Sequence, residues 1–366
     1  MKRILTILIV LMLVFTTGCL KVVIEQKAPD KEPTITSSPV EKTEYIIEDS
    51  GDAEELEEDD TDDVEIKDTE SKRAAETTKT STSSTELTSG KCTIFPSDNP
   101  WNTDISDYPV HKNSDGFVKS IGRSDNLHPD FGTVWDGGPN GIPYIMVDNA
   151  PMVPINFVDY GDESDPGPYP IPDNAPVEHG DDHHVIVMDK GRCKLYELYN
   201  ADKTRTGWDA SSGAVFDLTT NKLRPISWTS ADAAGLPIFP GLVKYDEVAS
   251  GEIDHALRFT VEYSQQAFVL PATHYASDDT DPDTPPMGLR FRLKDTFDIS
   301  GFSEKNQVIL KALKKYGMIM ADNGGDWFLS GAPDPRWDDD ELGELKQIEG
   351  RNFEAVDTGR IYTEYD

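Results

Sequence analysis

The sequence predicts a mainly β fold for residues 91–366: an antiparallel sandwich, a jelly roll or an irregular β-barrel, with one or two short helices. Short runs rich in Val, Ile, Phe and Tyr recur there, and Gly, Pro, Asn or Asp bounds most of them. The run LRFRLK at 289–294 alternates apolar and basic side chains, which is typical of a strand with one wet and one buried face. Helical periodicity is confined to two segments, so a doubly wound α/β fold is not expected.

The predicted strands lie at 144–147, 154–160, 184–188, 194–199, 214–218, 256–263, 267–271, 289–294, 318–321, 327–330 and 353–356. The clearer helix begins after Ser303, which can cap its first turn, and ends before Gly317. A second, weaker helix is expected over 339–347. Residues 91–366 contain no second linker and no internal repeat, so we expect one large globular domain.

The first 18 residues have the organisation of a signal peptide. Lys2 and Arg3 precede an uninterrupted apolar run at 4–15, which is too short to span a bilayer comfortably. The sequence TTGC at 16–19 resembles the lipobox of bacterial lipoproteins, although Thr16 stands where Leu is usual. The resemblance implies cleavage before Cys19, lipidation of Cys19 and an extracytoplasmic protein anchored to the bacterial cell membrane through its acyl chains. The alternative is an ordinary secretory signal with a chance cysteine.

Residues 19–90 have the composition of a tether. Glu, Asp, Thr, Ser and Lys dominate, aromatic residues are nearly missing, and the block at 51–68 is strongly acidic. Such a segment cannot bury enough apolar surface to offset its ordering entropy, so it is expected to be disordered and extended. The alternative is that the acidic block binds cations or a basic partner.

The chain has a formal net charge of -34, to which the domain after Lys91 also contributes. Nucleic acid is therefore not an expected partner, because its binding requires a basic surface that releases counterions. Acidity of this kind favours solubility, and it favours calcium binding outside the cell. Calcium is the only cofactor that the sequence indicates.

Two cysteines remain once Cys19 is lipidated. Cys92 and Cys193 form an even pair, and in an oxidising compartment a disulfide between them is the expected state. It would close a loop of about 100 residues and stabilise the fold by roughly 4 to 5 kcal/mol in the chain-entropy model. The alternative is a nucleophilic cysteine paired with histidine, but neither cysteine has a nucleophile's usual sequence context.

Motifs that would name a reaction are missing from the sequence. It contains no GxSxG elbow, no HExxH, no GxxxxGK and no GxGxxG between a strand and a helix. The domain instead offers long loops that are dense in carboxylates, histidines and aromatic residues. Loops of this length in a compact domain are more often functional than idle.

The first such loop, FPSDNPWN at 95–102, presents Trp101 between Pro100 and Asn102. A loop tryptophan can stack on a sugar ring, or it can plug the end of a sandwich. The second region, 161–189, places acids beside His179, His183 and His184. Adjacent histidines on a strand point to opposite faces, which argues against a shared transition metal. His184 opens a strand that reads as buried, so it needs a partner.

The third loop, at 227–259, contains Trp228, Asp232, Asp246, Glu247 and His255. These residues would come together if the loop folds over the strand that begins near its end. Paired carboxylates are what glycoside cleavage requires, with one carboxyl protonated as general acid and the other ionised as nucleophile or base. Each of these acids has an alternative role as a turn or cap residue.

Two acidic turns follow. The turn SDDTDPDTPP contains Asp278, Asp279, Asp281 and Asp283, a spacing that can chelate calcium through oxygens. The turn DNGGDW contributes Asp322, Asn323 and Asp326. The EF-hand pattern is incomplete, because the glycine at the sixth place and the closing glutamate are missing.

Several segments resemble a family of secreted bacterial proteins: FPSDNPWNTDIS, LHPDFGT, GDESDPGPYPIP, HVIVMD with LYELYNA, SWTSADAAGLPIFPGLVKYDEV, IDHALRFTV, PPMGLRFRLK and SGAPDPRWD. The resemblance covers nearly the whole domain. It implies secretion and a single large domain, often attached to carbohydrate-associated modules, but it carries over no assigned catalytic residue. It favours the residues that lie in matching segments, which are Asp98, His184, Asp232, Glu247, His255 and His274. The family pattern has Arg in place of His183, which weakens a metal role there.

The sequence thus predicts a surface-tethered lipoprotein that hydrolyses extracellular glycan, with Asp232 and Glu247 as acid and base. His184 or His255 would orient a carboxylate. Substrate contacts are expected from Trp101, Trp228, Asp98 and His274. The alternative is a non-catalytic cell-envelope or glycan-binding lipoprotein with calcium-stabilised loops. A polysaccharide lyase would instead need a basic groove, for which Arg290, Arg292 and Lys294 are the clustered candidates.

Overall fold

The computed structural model describes residues 92–365. The signal peptide expected at 1–18, the lipidation expected at Cys19 and the tether expected at 19–90 lie outside the described residues. No helix of the described part is long and apolar enough to cross a membrane.

Short strands dominate residues 92–365, as predicted. The strands are β1 His128–Asp130, β2 Val134–Trp135, β3 Gly138–Pro139, β4 Tyr144–Val147, β5 Ile155–Phe157, β6 Val185–Asp189, β7 Lys194–Tyr199, β8 Asp202–Lys203, β9 Trp208–Ala210, β10 Ser212–Asp217, β11 Leu257–Val261, β12 Gln265–Val269, β13 Pro286–Met287, β14 Arg290–Leu293, β15 Met318–Asn323, β16 Phe328–Ser330, β17 Phe353–Val356 and β18 Ile361–Tyr362. The α-helices are α1 Ser114–Ile121, α2 Tyr245–Ser250, α3 Glu304–Lys315 and α4 Asp339–Leu342.

Two mixed sheets form the body of the domain. The larger has the strand order β1-β16-β11-β15-β14-β17, and the second has the order β10-β7-β6-β4. Most neighbours are antiparallel, but three pairs are parallel: β1 with β16, β11 with β15, and β4 with β6. The prediction of a mainly β, sandwich-like fold is confirmed. The sheets of residues 92–365 do not close into a barrel, so the alternative prediction of a β-barrel is wrong.

The second sheet is buried on both faces. Along β6, Ile186 and Met188 contribute to the main hydrophobic core, whereas Val185 and Val187 contribute to a smaller core beside it. Successive side chains of a strand point to opposite faces, so this alternation places the sheet between the two cores. The continuous apolar sequence of β6 follows from that position.

The predicted helices are present, and two further ones were missed. The Ser303 side chain accepts a hydrogen bond from the Asn306 N–H in the first turn of α3, and Gly317 adopts a positive φ of 66° just after its end. Residues 339–347 form α4 and a 3-10 turn. The missed helices, α1 and α2, are only 8 and 6 residues long. Periodicity is weak over so few turns.

One face of β14 was wrongly predicted to be wet. Arg290 is 3% exposed, and its guanidinium donates to the carbonyls of Tyr316, Pro100 and Thr103. The strand lies between β15 and β17, inside the larger sheet, and the C-terminal carbonyls of α3 attract the cation. Alternation alone could not reveal this.

The disulfide between Cys92 and Cys193 is confirmed, and it joins residues 101 positions apart. Cys193 lies in the turn between β6 and β7, so the bond fastens the beginning of the described chain to the second sheet. Closing a loop of this length stabilises the folded state by about 4 to 5 kcal/mol in the chain-entropy model.

Candidate active site

A polar cavity of ≈ 270 Å³ lies where the loop at 228–236 crosses the ends of both large sheets. Four carboxyl-bearing residues line it: Glu163, Asp182, Asp232 and Asp322. His274 and the rings of Tyr160 and Tyr199 complete much of its wall. Asp232 and His274, both expected from the sequence to act in the site, are therefore brought to one cavity.

Arg258 of β11 lies behind the cavity and binds the cavity residue Asp232. Its Nε lies 2.9 Å from Asp232 Oδ2, its Nη2 lies 2.7 Å from Asp232 Oδ1, and both side chains are buried. The third nitrogen, Nη1, donates to Ser330 Oγ at 2.6 Å. Although burial opposes the charge of Arg258, Asp232 raises its pKa above the usual value. The two residues form a buried, bidentate ion pair.

Asp322, at the end of β15, is the second carboxyl of this group. Its Oδ2 lies 3.4 Å from Arg258 Nη2, and its side chain hydrogen-bonds to Asp232. Burial and the neighbouring charge of Asp232 raise the pKa of Asp322 well above its usual value, while Arg258 opposes the rise. Both oxygens of Asp232 accept hydrogen bonds from the guanidinium, and this buried carboxyl lies directly beside Asp322. The Asp322 side chain is 24% exposed, so it can reach a ligand in the cavity.

His184 and Glu178 form a second buried pair, next to the cavity-lining residue Ala231. His184 Nδ1 lies 2.5 Å from Glu178 Oε2, and His184 Nε2 lies 2.9 Å from the Ala231 carbonyl. Burial lowers the pKa of His184, but the hydrogen bond and charge of Glu178 outweigh it and raise the pKa to about 9. The expectation that a buried His184 needs a partner is met by a residue that the sequence did not single out.

Glu197 of β7 fixes the loop that carries Asp232. Its carboxyl group is fully buried and accepts hydrogen bonds from the N–H groups of Ile238 and Phe239, at 2.9 Å each for the closest oxygens. Burial raises the pKa of Glu197 to about 7, the two N–H groups oppose the rise, and Asp232 adds to it. The loop is thereby joined to the second sheet.

Glu247 and His255 lie in a different cluster. Glu247 Oε1 is 3.2 Å from Lys244 Nζ, and Glu247 Oε2 is 3.1 Å from His255 Nε2. Burial raises the pKa of Glu247, but Lys244 and His255 outweigh it and lower the pKa to about 2. Neither Glu247 nor His255 lines the cavity of Asp232. The structure therefore does not place the predicted pair, Asp232 and Glu247, across one cavity.

The residues expected to contact substrate are dispersed. Trp101 is only 2% exposed and packs in the main core, which corrects the expectation that it stacks on a sugar. Trp228 is half-buried, and the guanidinium carbon of Arg224 lies 5.6 Å from the centre of the Trp228 ring. Asp98 accepts a hydrogen bond from Asn221 at 2.8 Å and lines a separate pocket of ≈ 230 Å³.

The carboxylates of the predicted calcium loop accept hydrogen bonds from N–H groups of the same loop. Asp279 Oδ1 accepts from the N–H of Asp281, and Asp281 Oδ1 accepts from the N–H of Asp283, both at 2.9 Å. Within residues 92–365, the one group of three metal-ligating side chains with converging ligand atoms is Glu178, Asp182 and His184. The oxygens of Asp278, Asp279, Asp281 and Asp283 are therefore not gathered around one point.

Comparisons of the chain with protein-family models, with curated proteins and with solved structures found no match. The assignment of a function consequently depends on the chemistry of the cavity.

Sequence reasoning missed Arg258, Glu178 and Glu197. A signal was present for two of them, since Arg258 in LRFTV and Glu197 in KLYELY interrupt apolar strands. A charge inside a buried strand must be paired. No comparable signal indicates which distant residues pair with Arg258 and Glu197.

Replacing Glu197 with glutamine tests how the loop is held. The folded-state pKa of about 7 exceeds the ordinary 4.5, so the folded protein binds this proton more tightly than the unfolded chain does. The stability that Glu197 contributes is therefore complete below about pH 4.5 and falls as the pH rises through about 7, by roughly 3 kcal/mol. We expect Glu197→Gln to remove this decline, because the amide oxygen still accepts from Ile238 and Phe239 but does not ionise. Urea unfolding of both proteins from about pH 5 to about pH 8 measures the difference, and parallel stability curves would contradict it.

Proposed function

We propose that this chain is a lipid-anchored, extracytoplasmic enzyme that hydrolyses neutral glycan, with Asp322 as the general acid. The observation that carries the proposal is the position of Asp322, which lines a polar cavity beside a buried carboxylate that Arg258 holds, so that burial and the neighbouring charge raise its pKa. Enzymes obtain a general acid at neutral pH by raising the pKa of a carboxyl group through burial and a neighbouring negative charge. Asp322 has both causes.

Asp232 serves as a positioning residue in this proposal. Its side chain has no exposure, and both of its oxygens accept hydrogen bonds from Arg258. It therefore does not reach a substrate, but its charge keeps the proton on Asp322. His184 is a second positioning residue. Its Nε2 hydrogen-bonds to the carbonyl oxygen of Ala231, which lies in the same loop as Asp232.

The second carboxyl group required for glycoside cleavage is assigned to Glu163. It lines the same cavity, and its Oε2 accepts a hydrogen bond from the Thr229 N–H at 3.0 Å, which fixes its direction. A carboxylate held in this way can act as a base toward water or as a nucleophile, while Asp322 protonates the leaving oxygen.

The lining of the cavity supports glycan as the substrate class. The rings of Tyr160 and Tyr199 offer stacking surface. The hydroxyl groups of Ser212, Thr229 and Ser230 instead donate to backbone carbonyls of the loop and fix this part of the wall. The carboxylates of Glu163 and Asp182 disfavour anionic polysaccharides by like-charge repulsion. The lyase alternative is also disfavoured because Arg290 is buried among carbonyls and Arg292 is paired with Glu354 at 2.8 Å.

Asp322→Asn is expected to lower the rate of glycan hydrolysis by a factor of about 100 to 10,000, the usual contribution of a general acid. The wild-type rate is expected to fall as the pH rises through the pKa of Asp322, because the proton is then lost. The assay follows new reducing ends released by the purified protein from a panel of neutral polysaccharides.

Asp326→Asn is the matched control for this prediction. Asp326 lies four residues after Asp322, does not line the cavity, and accepts from the Glu262 N–H at 2.8 Å, a bond that asparagine can keep. Equal activity in wild-type and Asp322→Asn proteins would contradict the role of Asp322. Binding of the glycan without new reducing ends would favour the non-catalytic glycan-binding alternative.

Cys19→Ala tests the proposed anchor. If Cys19 receives the lipid, the full-length wild-type chain expressed in a bacterial host will fractionate with the membrane and incorporate labelled palmitate. The variant will incorporate none and leave the detergent-soluble membrane fraction, because stable attachment depends on the buried acyl chains. Palmitate labelling that persists in Cys19→Ala protein would reject the assignment.

A further inference from the structure

We propose that Glu178, Asp182 and His184 bind one divalent transition-metal ion, with Zn²⁺ as the best fit. One ligand atom of each side chain lies within 4.8 Å of the other two. Two of the residues come from the loop before β6, and His184 directly precedes the strand. The site is independent of the role assigned to Asp322.

The orientation of the His184 ring points to this role. Its Nε2 lies 2.9 Å from the carbonyl oxygen of Ala231, which can only accept, so Nε2 carries a hydrogen. Nδ1 faces Glu178 Oε2 at 2.5 Å. Either a proton that Nδ1 donates to the carboxylate or a metal ion that both atoms bind lies between these two atoms, and the metal would take the place of the proton. Histidine ligands of metals usually donate their other N–H to a backbone carbonyl in this way.

Hydrogen bonds fix the loop around Glu178, Asp182 and His184, and the cluster remains accessible from the cavity. The His184 side chain is 2% exposed and the Glu178 side chain is 15% exposed. The loop is fastened by hydrogen bonds from the Glu178 N–H to the His184 carbonyl and from the Asn200 N–H to the Asp182 carbonyl. Asp182 is exposed and lines the cavity, so an ion would enter from that side and keep a coordination position open to it.

The ligand chemistry selects the ion. One imidazole nitrogen and two carboxylate oxygens suit Zn²⁺, whereas Ca²⁺ prefers oxygen ligands alone. Tetrahedral Zn²⁺ with bonds of about 2.1 Å separates its ligand atoms by about 3.4 Å. Glu178 Oε2 must therefore move outward by roughly 1 Å, and its partly exposed side chain permits this. The carboxylates of Glu178 and Asp182 balance the charge of the ion.

The test is isothermal titration of the full-length protein with ZnCl₂ after treatment with EDTA. We expect one site per chain that is lost in Glu178→Gln and weakened at least about tenfold in Asp182→Asn, a change of about 1.4 kcal/mol. Asp182 is exposed, so its substitution is expected to leave folding intact, which circular dichroism checks. Asp181→Asn, an exposed neighbour outside the cluster, is the matched control and is expected to bind Zn²⁺ like the wild type.

Co²⁺ in place of Zn²⁺ gives a second measurement, because its visible absorption reports nitrogen and oxygen ligands directly. Wild-type and Asp181→Asn proteins are expected to give the same spectrum, and Glu178→Gln is expected to give that of the free ion. The proposal is overturned if Zn²⁺ binds wild-type and Asp182→Asn proteins equally, if Asp181→Asn loses the site too, or if Ca²⁺ binds in preference to Zn²⁺. None of these outcomes depends on glycan hydrolysis.

Discussion

Arg258 occupies a position on which the whole site depends. It projects from β11, in the interior of the larger sheet, and its guanidinium engages Asp232 with two nitrogens and Ser330 with the third. A charge at this depth is tolerated only when it is paired, and removing either partner of such a pair costs about 3 to 5 kcal/mol. The pair fixes the loop at 228–236 against the sheet and places one negative charge under the cavity.

The chemistry proposed for the cavity follows from that constraint. With Asp232 committed to Arg258, Asp322 faces a negative charge in a poorly solvated position, and burial and that charge together raise its pKa. Glu197 and His184 hold the same loop from the second sheet, through the amides of Ile238 and Phe239 and through the carbonyl of Ala231. The two sheets thus contribute to a single set of buried polar contacts. The position of Asp322 relative to Asp232 therefore depends on both sheets.

Eleven strands could be predicted from the sequence because they are short apolar runs bounded by turn residues, and each predicted segment overlaps an observed strand. Seven further strands of two or three residues each, namely β1, β2, β3, β8, β9, β13 and β18, were missed because so few residues show no alternation. The helix α3 was visible through its Ser303 cap and its periodic apolar face. The helix α2 was not, because six residues inside a Gly- and Pro-rich segment show no period. The burial of Arg290 depends on which strands flank β14, and sheet order is a tertiary property.

The candidate site could be predicted only in part. Asp232, His184 and His274 lie in unusual loops and were singled out, but pairing Asp232 with Glu247 assumed that residues close in sequence meet in space. The carboxyl group that lies beside Asp232 is that of Asp322, 90 positions away in the chain. Glu247 pairs instead with His255 and with Lys244, whose burial had no sign in the sequence. Hydrogen-bonded pairs across long sequence separations carry no local pattern, so they emerge only from the fold.

The most direct measurement of this account is the titration of the Asp322 side-chain carboxyl by ¹³C NMR, assigned by comparison with the Asp322→Asn protein. The account predicts that Asp322 keeps its proton well above the ordinary value of 3.8, and that its pKa falls in the Asp232→Asn protein because the neighbouring negative charge is removed. Titration of Asp322 near 3.8 in the wild-type protein would contradict the claim that this residue is a neutral acid, and with it the proposed catalytic role.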